Sequence, residues 1–257
     1  MSYLDELIAS TRLRVDETRA RTTDHQLNAA MAAAPAVRSL RKALTGTELR
    51  LIAEIKRASP TAGEIAPGLD AAAAAEAYAR GGASALSVLT EPEKFKGSLD
   101  DIRAARGAGV PVLRKDFIVD ELQVRESRGA GADAILLIVR ALGNELRALY
   151  ESAEQHGMEC LVEVFDENDV ERALEIGAAI VGVNHRDLET FEVDPDRTLK
   201  LAPMIPDEVV LVGLSGVKSR DDVKRLADAG ARAVLVGEAL GRSGSPEATV
   251  RELLGAA

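Results

Sequence analysis

Leu51-Ile52-Ala53-Glu54-Ile55-Lys56-Arg57-Ala58-Ser59-Pro60 is the stretch on which the fold turns. It begins as a strand. Side chains alternate along a strand, so Leu51, Ala53 and Ile55 point one way and Ile52, Glu54 and Lys56 the other. Ser59-Pro60 ends the strand, because proline cannot donate to a ladder and restricts the residue before it. A carboxylate and an ammonium thus share one face at the strand's C-terminal tip. Charges taken out of water must be paired or put to use. Taken alone, the stretch fits either a structural ion pair or part of a site.

Outward from this strand the pattern repeats. Short apolar runs rich in Val, Ile and Leu are expected as strands at 51–55, 84–88, 111–114, 133–138, 160–164, 179–183, 208–212 and 232–236. They begin roughly 20–33 residues apart, the spacing of βαβ units, and their composition suits parallel pairing buried on both faces. Amphipathic stretches lie between them and close on glycine, as in Gly81-Gly82, Gly129-Ala130-Gly131, Gly177 and Gly230. Glycine supplies the left-handed residue that ends a helix. No G-x-G-x-x-G follows the first strand, which argues against a dinucleotide site. Eight strand–helix units indicate an α/β fold, a (β/α)8 TIM barrel spanning 49–257, with a last helix near 246–254. An open doubly wound sheet is the alternative, but it normally has fewer strands. Residues 1–48 read as an N-terminal helical extension. Leu4, Leu7, Ile8 and Leu13 mark a helix to about Arg21, and two shorter pieces follow on either side of Pro35. The extension is expected to pack on the barrel as part of a single domain, with the option of covering an opening.

The 257 residues are 46% hydrophobic and 29% charged, ample for one large core, with a net charge of −10. That balance argues against nucleic acid as a partner. It leaves room for an anionic ligand held by local lysines and backbone N–H groups. Cys160 is the single cysteine and the three histidines are scattered, so neither a disulfide nor a zinc cluster is expected. No basic-then-apolar leader opens the chain, and no apolar run approaches the ~18 residues of a membrane span. A cytoplasmic protein with no membrane partner is expected, and a monomer.

Barrels of this kind do their chemistry at the C-terminal strand ends. Those ends bring Glu54, Lys56 and Ser59 from strand 1 and Phe95 from beyond strand 2. Lys115 and Phe117 come from strand 3, Leu136 and Ile138 from strand 4, Glu163 from strand 5. Asn184 and Leu188 come from strand 6, Leu214, Ser215 and Gly216 from strand 7, Gly237 and Glu238 from strand 8. Two lysines and two glutamates on one rim form an acid/base set: an ammonium can protonate a leaving oxygen and a carboxylate can take a proton opposite. The loops after strands 7 and 8 are the usual phosphate-gripping positions. A phosphate is therefore expected among Ser215, Gly216, Gly237, Lys56 and Ser59. Phe95, Phe117, Leu136, Ile138 and Leu188 add apolar surface. In a chain only 3% aromatic, that surface suggests an aromatic portion of the ligand.

These motifs resemble the indole-3-glycerol phosphate synthase family. The resemblance is carried by Ile52-Ala53-Glu54-Ile55-Lys56-Arg57-Ala58-Ser59-Pro60, Ser87-Val88-Leu89-Thr90-Glu91 and Leu113-Arg114-Lys115-Asp116-Phe117. It continues through Leu161-Val162-Glu163-Val164 and Gly182-Val183-Asn184-His185-Arg186-Asp187-Leu188. It implies closure of 1-(2-carboxyphenylamino)-1-deoxyribulose 5-phosphate to indole-3-glycerol phosphate, with loss of CO2 and water and no cofactor. By the same resemblance Lys115 is the general acid and Glu163 acts in the dehydration. Glu54 and Asn184 support the charges, and Lys56 holds an anionic group. Ser59, Ser215, Gly216, Gly237 and Glu238 seat the phosphate, and the apolar set lines the anilino ring. Asp116 and Asp187 read as structural partners.

One position departs from the family pattern, which reads Glu-Ser-Gly after strand 7. Here Leu214 precedes Ser215-Gly216, removing a carboxylate from the rim. The alternative is an engineered or diverged barrel of the family that binds a phosphorylated ligand with altered or lost activity. A lysine Schiff-base aldolase is a further enzymatic alternative.

Overall fold

The computed structural model describes residues 2–256. Eight parallel strands close into a barrel: β1 (Arg50–Ile55), β2 (Ala85–Leu89), β3 (Val112–Lys115), β4 (Ala134–Ile138), β5 (Glu159–Val164), β6 (Ile180–Asn184), β7 (Val210–Leu214) and β8 (Ala233–Val236). Each strand lies beside its sequence neighbours, and β1 closes the ring by pairing with β8 (Ala53 with Val236) as well as β2 (Ile55 with Val88). The closure excludes the open doubly wound sheet. All eight strands expected from the sequence are present, each within two residues of its expected bounds. The largest shift is β7, which starts at Val210 rather than 208. A turn closed by Val209 N–H donating to the Pro206 carbonyl occupies the residues before it.

The alternation of β1 separates two apolar layers. Leu51, Ala53 and Ile55 face outward, packing with Ala75 and Tyr78 of helix α4 (Ala71–Arg80) and Val250 of the last helix (Pro246–Leu254). Ile52 faces inward with Leu113, Leu136, Leu161, Ile180, Val212 and Leu235, which fill the barrel interior. Burying such side chains stabilises by about 1.5–3 kcal/mol each. It also makes the barrel a solid floor, so polar side chains one step further along each strand are lifted to its mouth. The helix-closing glycines behave as expected: Gly131 and Gly230 take φ of 92° and 96°, a conformation that would strain any side chain.

The described residues up to 44 carry α1 (Tyr3–Arg21), α2 (Asp24–Ala33) and α3 (Leu40–Leu44). Ser2 with Asp5 and Thr23 with Gln26 form capping boxes that start α1 and α2. The helices cover both ends of the barrel. Leu40 and Leu44 of α3 are fully buried with the interior cluster at the N-terminal end. There Glu159, the first residue of β5, accepts from Ser39 Oγ and Arg41 N–H, both at 2.7 Å, and so caps α3. Leu4 and Leu7 of α1 join Phe117 at the mouth, and the Tyr3 ring stands edge-on to Phe191 at 5.1 Å between centroids. Among the described residues no helix is long and apolar enough to cross a membrane.

Candidate active site

The inward face of each strand ends at the mouth, and the residues that arrive there are mostly polar. Glu54, Lys115, Glu163 and Asn184 close the inward rows of β1, β3, β5 and β6, and Lys56 follows β1 directly. Together with Ser59, Phe95, Phe117, Ile138, Leu188, Leu214, Ser215, Gly216, Gly237 and Glu238 they line a single pocket. Leu136 is the exception among the expected residues. It shares the inward face of β4 with Ile138 but sits two residues deeper, 1% exposed in the interior apolar layer. It supports the floor and does not line the pocket.

The charged groups form two unequal pairs. Glu54 Oε1 lies 2.7 Å from Lys56 Nζ, a closed ion pair. Lys115 Nζ stands 3.5 Å from Glu163 Oε2, a looser one. The other Glu163 oxygen accepts from Asn184 Nδ2 at 3.0 Å, and the side-chain Oδ1 of Asn184 accepts the Arg186 N–H at 3.0 Å, which orients the amide. Glu163 is 1% exposed, and among the described residues its Oε2 meets no hydrogen-bond donor. A buried carboxylate oxygen with an ammonium just beyond bonding distance can exchange a proton with a third group placed between them. The Glu54–Lys56 pair depends on Gly237. A Cβ there would lie 2.3 Å from Glu54 Oε1 and 3.1 Å from Lys56 Nζ. Gly237→Ala is therefore expected to displace the pair and lower kcat/KM by about 10–100-fold in steady-state assays, as misplacement of a polar group by about an ångström does. Wild-type kinetics in that variant would show that the pair tolerates displacement.

After β7 the chain turns through Ser215 and Gly216, at φ of 66° and 80°. Among the described residues, the backbone N–H groups of Ser215, Gly216, Gly237 and Glu238 meet no backbone or side-chain acceptor. Such N–H groups can hold an anion. The Glu238 carboxylate is taken up by Arg242 at 3.2 Å, so Glu238 would contribute through its backbone. Ser59 Oγ, beyond β1, accepts from Ala62 N–H at 3.1 Å and lies 3.5 Å from Thr61 Oγ1, a long contact in which either hydroxyl can donate.

The apolar wall is built by Phe95 and Phe117, 6.4 Å apart at 45°, with Ile138 and Leu188. Buried Glu91 holds the loop that carries Phe95, accepting from the N–H groups of Glu93, Lys94 and Phe95 and from Arg14 of α1 at 2.7 Å. Asp116, next to Lys115, accepts from Thr90 and Arg114 and from the Phe117 N–H. Burial alone would raise its carboxyl, but Arg114, the Thr90 hydroxyl and Arg14 outweigh burial and hold it below the usual range. Asp187 accepts from the Glu189 and Thr190 N–H groups, which lower it likewise. Both aspartates act as braces, as their positions suggested.

Tyr3, Leu7, Phe191, Arg186 and Lys218 also line the pocket and were not among the expected site residues. Arg186 and Lys218 follow strands 6 and 7 closely, and the rule that loops beyond strand ends face the mouth would have included them. Tyr3 and Leu7 carry no such signal, since nothing local says which end of the barrel a preceding helix will cover.

Leu214 ends the inward row of β7, in register with Asn184 and Leu235. It is 2% exposed. It fits because position 182 is glycine: a Cβ there would come within 2.7 Å of Leu214 Cδ1. An apolar side chain thus occupies the place where a carboxylate would face Asn184. Cys160 is buried on the outward side of β5, and burial pushes its thiol far up, which removes it as a nucleophile. Among the described residues no group of three or more His, Cys, Asp or Glu could hold a metal ion.

A family model for indole-3-glycerol phosphate synthase matches residues 4–253. Three relatives carry that same name. One from Nocardioides sp. is 48% identical, with 99% of each chain covered. One from Micrococcus luteus is 47% identical (98% of this chain, 96% of the relative), and one from Mycobacterium ulcerans is 46% identical (98% and 94%). Among solved structures, a thiamine phosphate pyrophosphorylase from Pyrococcus furiosus superposes at a TM-score of 0.61 with 15% identity, covering 84% of this chain and 96% of that one. An N-acetylmannosamine-6-phosphate 2-epimerase from Clostridium perfringens does so at 0.62, also with 15% identity, covering 80% and 93%. At that identity the two structures speak for the barrel alone. The family model and the full-length relatives go further: this chain belongs to the indole-3-glycerol phosphate synthase family.

Proposed function

We propose that the pocket closes the indole ring of 1-(2-carboxyphenylamino)-1-deoxyribulose 5-phosphate, releasing CO2 and water, with its polar residues divided between the two halves of the reaction. The observation that carries this reading is the arrangement of the pocket. An apolar wall of Phe95, Phe117, Ile138 and Leu188 comes from the ends of β2, β3, β4 and β6, the N–H groups of Ser215, Gly216, Gly237 and Glu238 come from beyond β7 and β8, and Lys115 and Glu163 line the same pocket. The anilino ring packs on the wall. The phosphate takes the N–H groups and Ser59, and Lys56 attracts an anionic group of the substrate while Glu54 fixes its position.

In the first half the ring carbon bearing the carboxylate attacks the ketone carbon. The carbonyl electron pair moves to oxygen, which takes a proton from Lys115. The carbon–carboxylate bond then breaks, CO2 leaves, and its electron pair restores the aromatic ring. In the second half the new hydroxyl leaves as water with a proton supplied by Glu163 or Lys115. The neighbouring methylene carbon gives up its proton to the other of these two groups, and the C–H electron pair forms the indole double bond. The Lys115–Glu163 spacing lets one group recharge the other between halves, and Asn184 keeps the Glu163 carboxylate aimed. The site as drawn requires a soluble small-molecule substrate and no metal or organic cofactor. Its place in tryptophan biosynthesis puts it in the cytoplasm.

Incubating the protein with the carboxyphenylamino-deoxyribulose phosphate should produce indole fluorescence. No signal at high protein concentration would overturn the reading. Leu214 favours the second reading, a diverged barrel that binds this ligand with slower turnover. Leu214→Glu, which restores a carboxylate beside Asn184, is expected to change kcat or KM by about tenfold, the scale of one charged hydrogen bond. Unchanged turnover and affinity would show that the position has no part in the reaction.

A further inference from the structure

The turn at Ser215-Gly216 holds a left-handed conformation at a serine, which is unfavourable for a side-chain-bearing residue and persists only where neighbours enforce it. One residue contacts both carbonyls of this segment. The His185 N–H donates to the Leu214 carbonyl at 3.0 Å, and His185 Nδ1 lies 3.1 Å from the Ser215 carbonyl. On its far side, His185 Nε2 lies 2.7 Å from Thr198 Oγ1 in the helix Arg197–Leu201. His185 is 2% exposed and Thr198 fully buried, so both contacts are shielded from water.

The peptide unit is planar and trans, so its C=O and N–H point in opposite directions. Anchoring the Leu214 carbonyl sets the direction of the Ser215 N–H, and anchoring the Ser215 carbonyl sets that of the Gly216 N–H. These are two of the N–H groups assigned above to the phosphate. We propose that His185 is the positioning residue of the phosphate seat, its imidazole holding the Ser215 carbonyl so that the Gly216 N–H faces the pocket. The inference rests on the phosphate seat of the proposed function.

A carbonyl can only accept, so Nδ1 must carry a proton. In the neutral ring Nε2 then accepts from the Thr198 hydroxyl. Burial, first, favours the neutral ring, and the nearby Arg197 and Arg225 add to it, while the Ser215 carbonyl and Asp194 oppose. The Ser215 carbonyl thereby selects the tautomer, and Thr198, whose hydroxyl can donate to Nε2, is compatible with it. Nothing in this arrangement touches the reacting atoms, so its loss should appear in affinity and not in turnover.

The test uses the full-length protein, steady-state kinetics and inorganic phosphate as a competitive inhibitor. His185→Ala is expected to raise KM and the phosphate inhibition constant together by about tenfold, with kcat nearly unchanged, the size of one lost hydrogen bond. His185→Asn, whose amide N–H can take the place of Nδ1, should recover most of that loss. Nitrogen-15 shifts of the wild-type ring should show the neutral Nδ1-protonated form, a reading that does not depend on any variant folding. An Nε2-protonated ring, equal effects of alanine and asparagine, or a fall in kcat at constant KM would each overturn the proposal. If phosphate competes in the wild type and both variants leave its constant unchanged, the seat stands and the role of His185 falls. If phosphate does not compete in the wild type, the seat itself is refuted and His185 with it.

Discussion

Lys115→Ala is expected to lower kcat by about 10²–10⁴-fold, the range of a positioned general acid, while the barrel remains folded. The argument begins with placement. Lys115 is the last residue of β3, and its carbonyl accepts the Thr90 N–H at 3.1 Å, a contact the substitution leaves intact. Its side chain is one-fifth exposed and meets the buried Glu163 only at 3.5 Å, so it is held near the carboxylate without being consumed by it. In the proposed reaction, removing it takes away the proton donor to the ketone oxygen, and it leaves Glu163 without the ammonium 3.5 Å away. Some loss of thermal stability should accompany the loss of rate. Lys115→Arg should fail to restore turnover, because a guanidinium stays charged and cannot give up a proton in the working pH range. Indole fluorescence measures the rate and far-ultraviolet circular dichroism the fold. A near-wild-type rate in either variant would refute the assignment.

Glu163→Gln should lose about 10²–10³-fold in kcat with KM little changed, since it keeps the shape and removes only the acid/base function. The glutamine oxygen can still accept from Asn184 Nδ2, so the side chain should stay in place. What disappears is the second oxygen facing Lys115, the one that meets no hydrogen-bond donor among the described residues. If Lys115 and Glu163 pass a proton between them, the double variant should be little worse than Lys115→Ala alone. Groups that act as a unit are not additive. Fully multiplicative losses would separate their roles, and an unimpaired Glu163→Gln would remove Glu163 from the chemistry.

Much of the rim was legible because strand geometry is periodic. Once Leu51, Ala53 and Ile55 are placed outside, Ile52 and Glu54 must face inward, and the same step of two carries Leu161 to Glu163 and Gly182 to Asn184. The same period explains the one misplaced wall residue. Leu136 and Ile138 share a face, but only depth along the strand separates floor from pocket, and depth depends on how neighbouring strands are staggered around the barrel. Leu214 follows the same logic. Its side chain is readable from the sequence, but its fit against Gly182 is not, because the two meet only through the pairing of β6 with β7.

By itself the sequence determined the strand count, the order of the units, the lysines and glutamates at the rim and the glycine-bearing turns. All of these follow from local period and local backbone freedom. Only the tertiary structure decided that α1 brings Tyr3 and Leu7 to the mouth while α3 plugs the other end. The same holds for Arg14 reaching the loop of Phe95, and for His185 meeting both Ser215 and Thr198. Those contacts join segments far apart in the chain or on different elements. They are selected by which buried faces fit together and which polar groups must find partners, and no run of neighbouring residues encodes that choice.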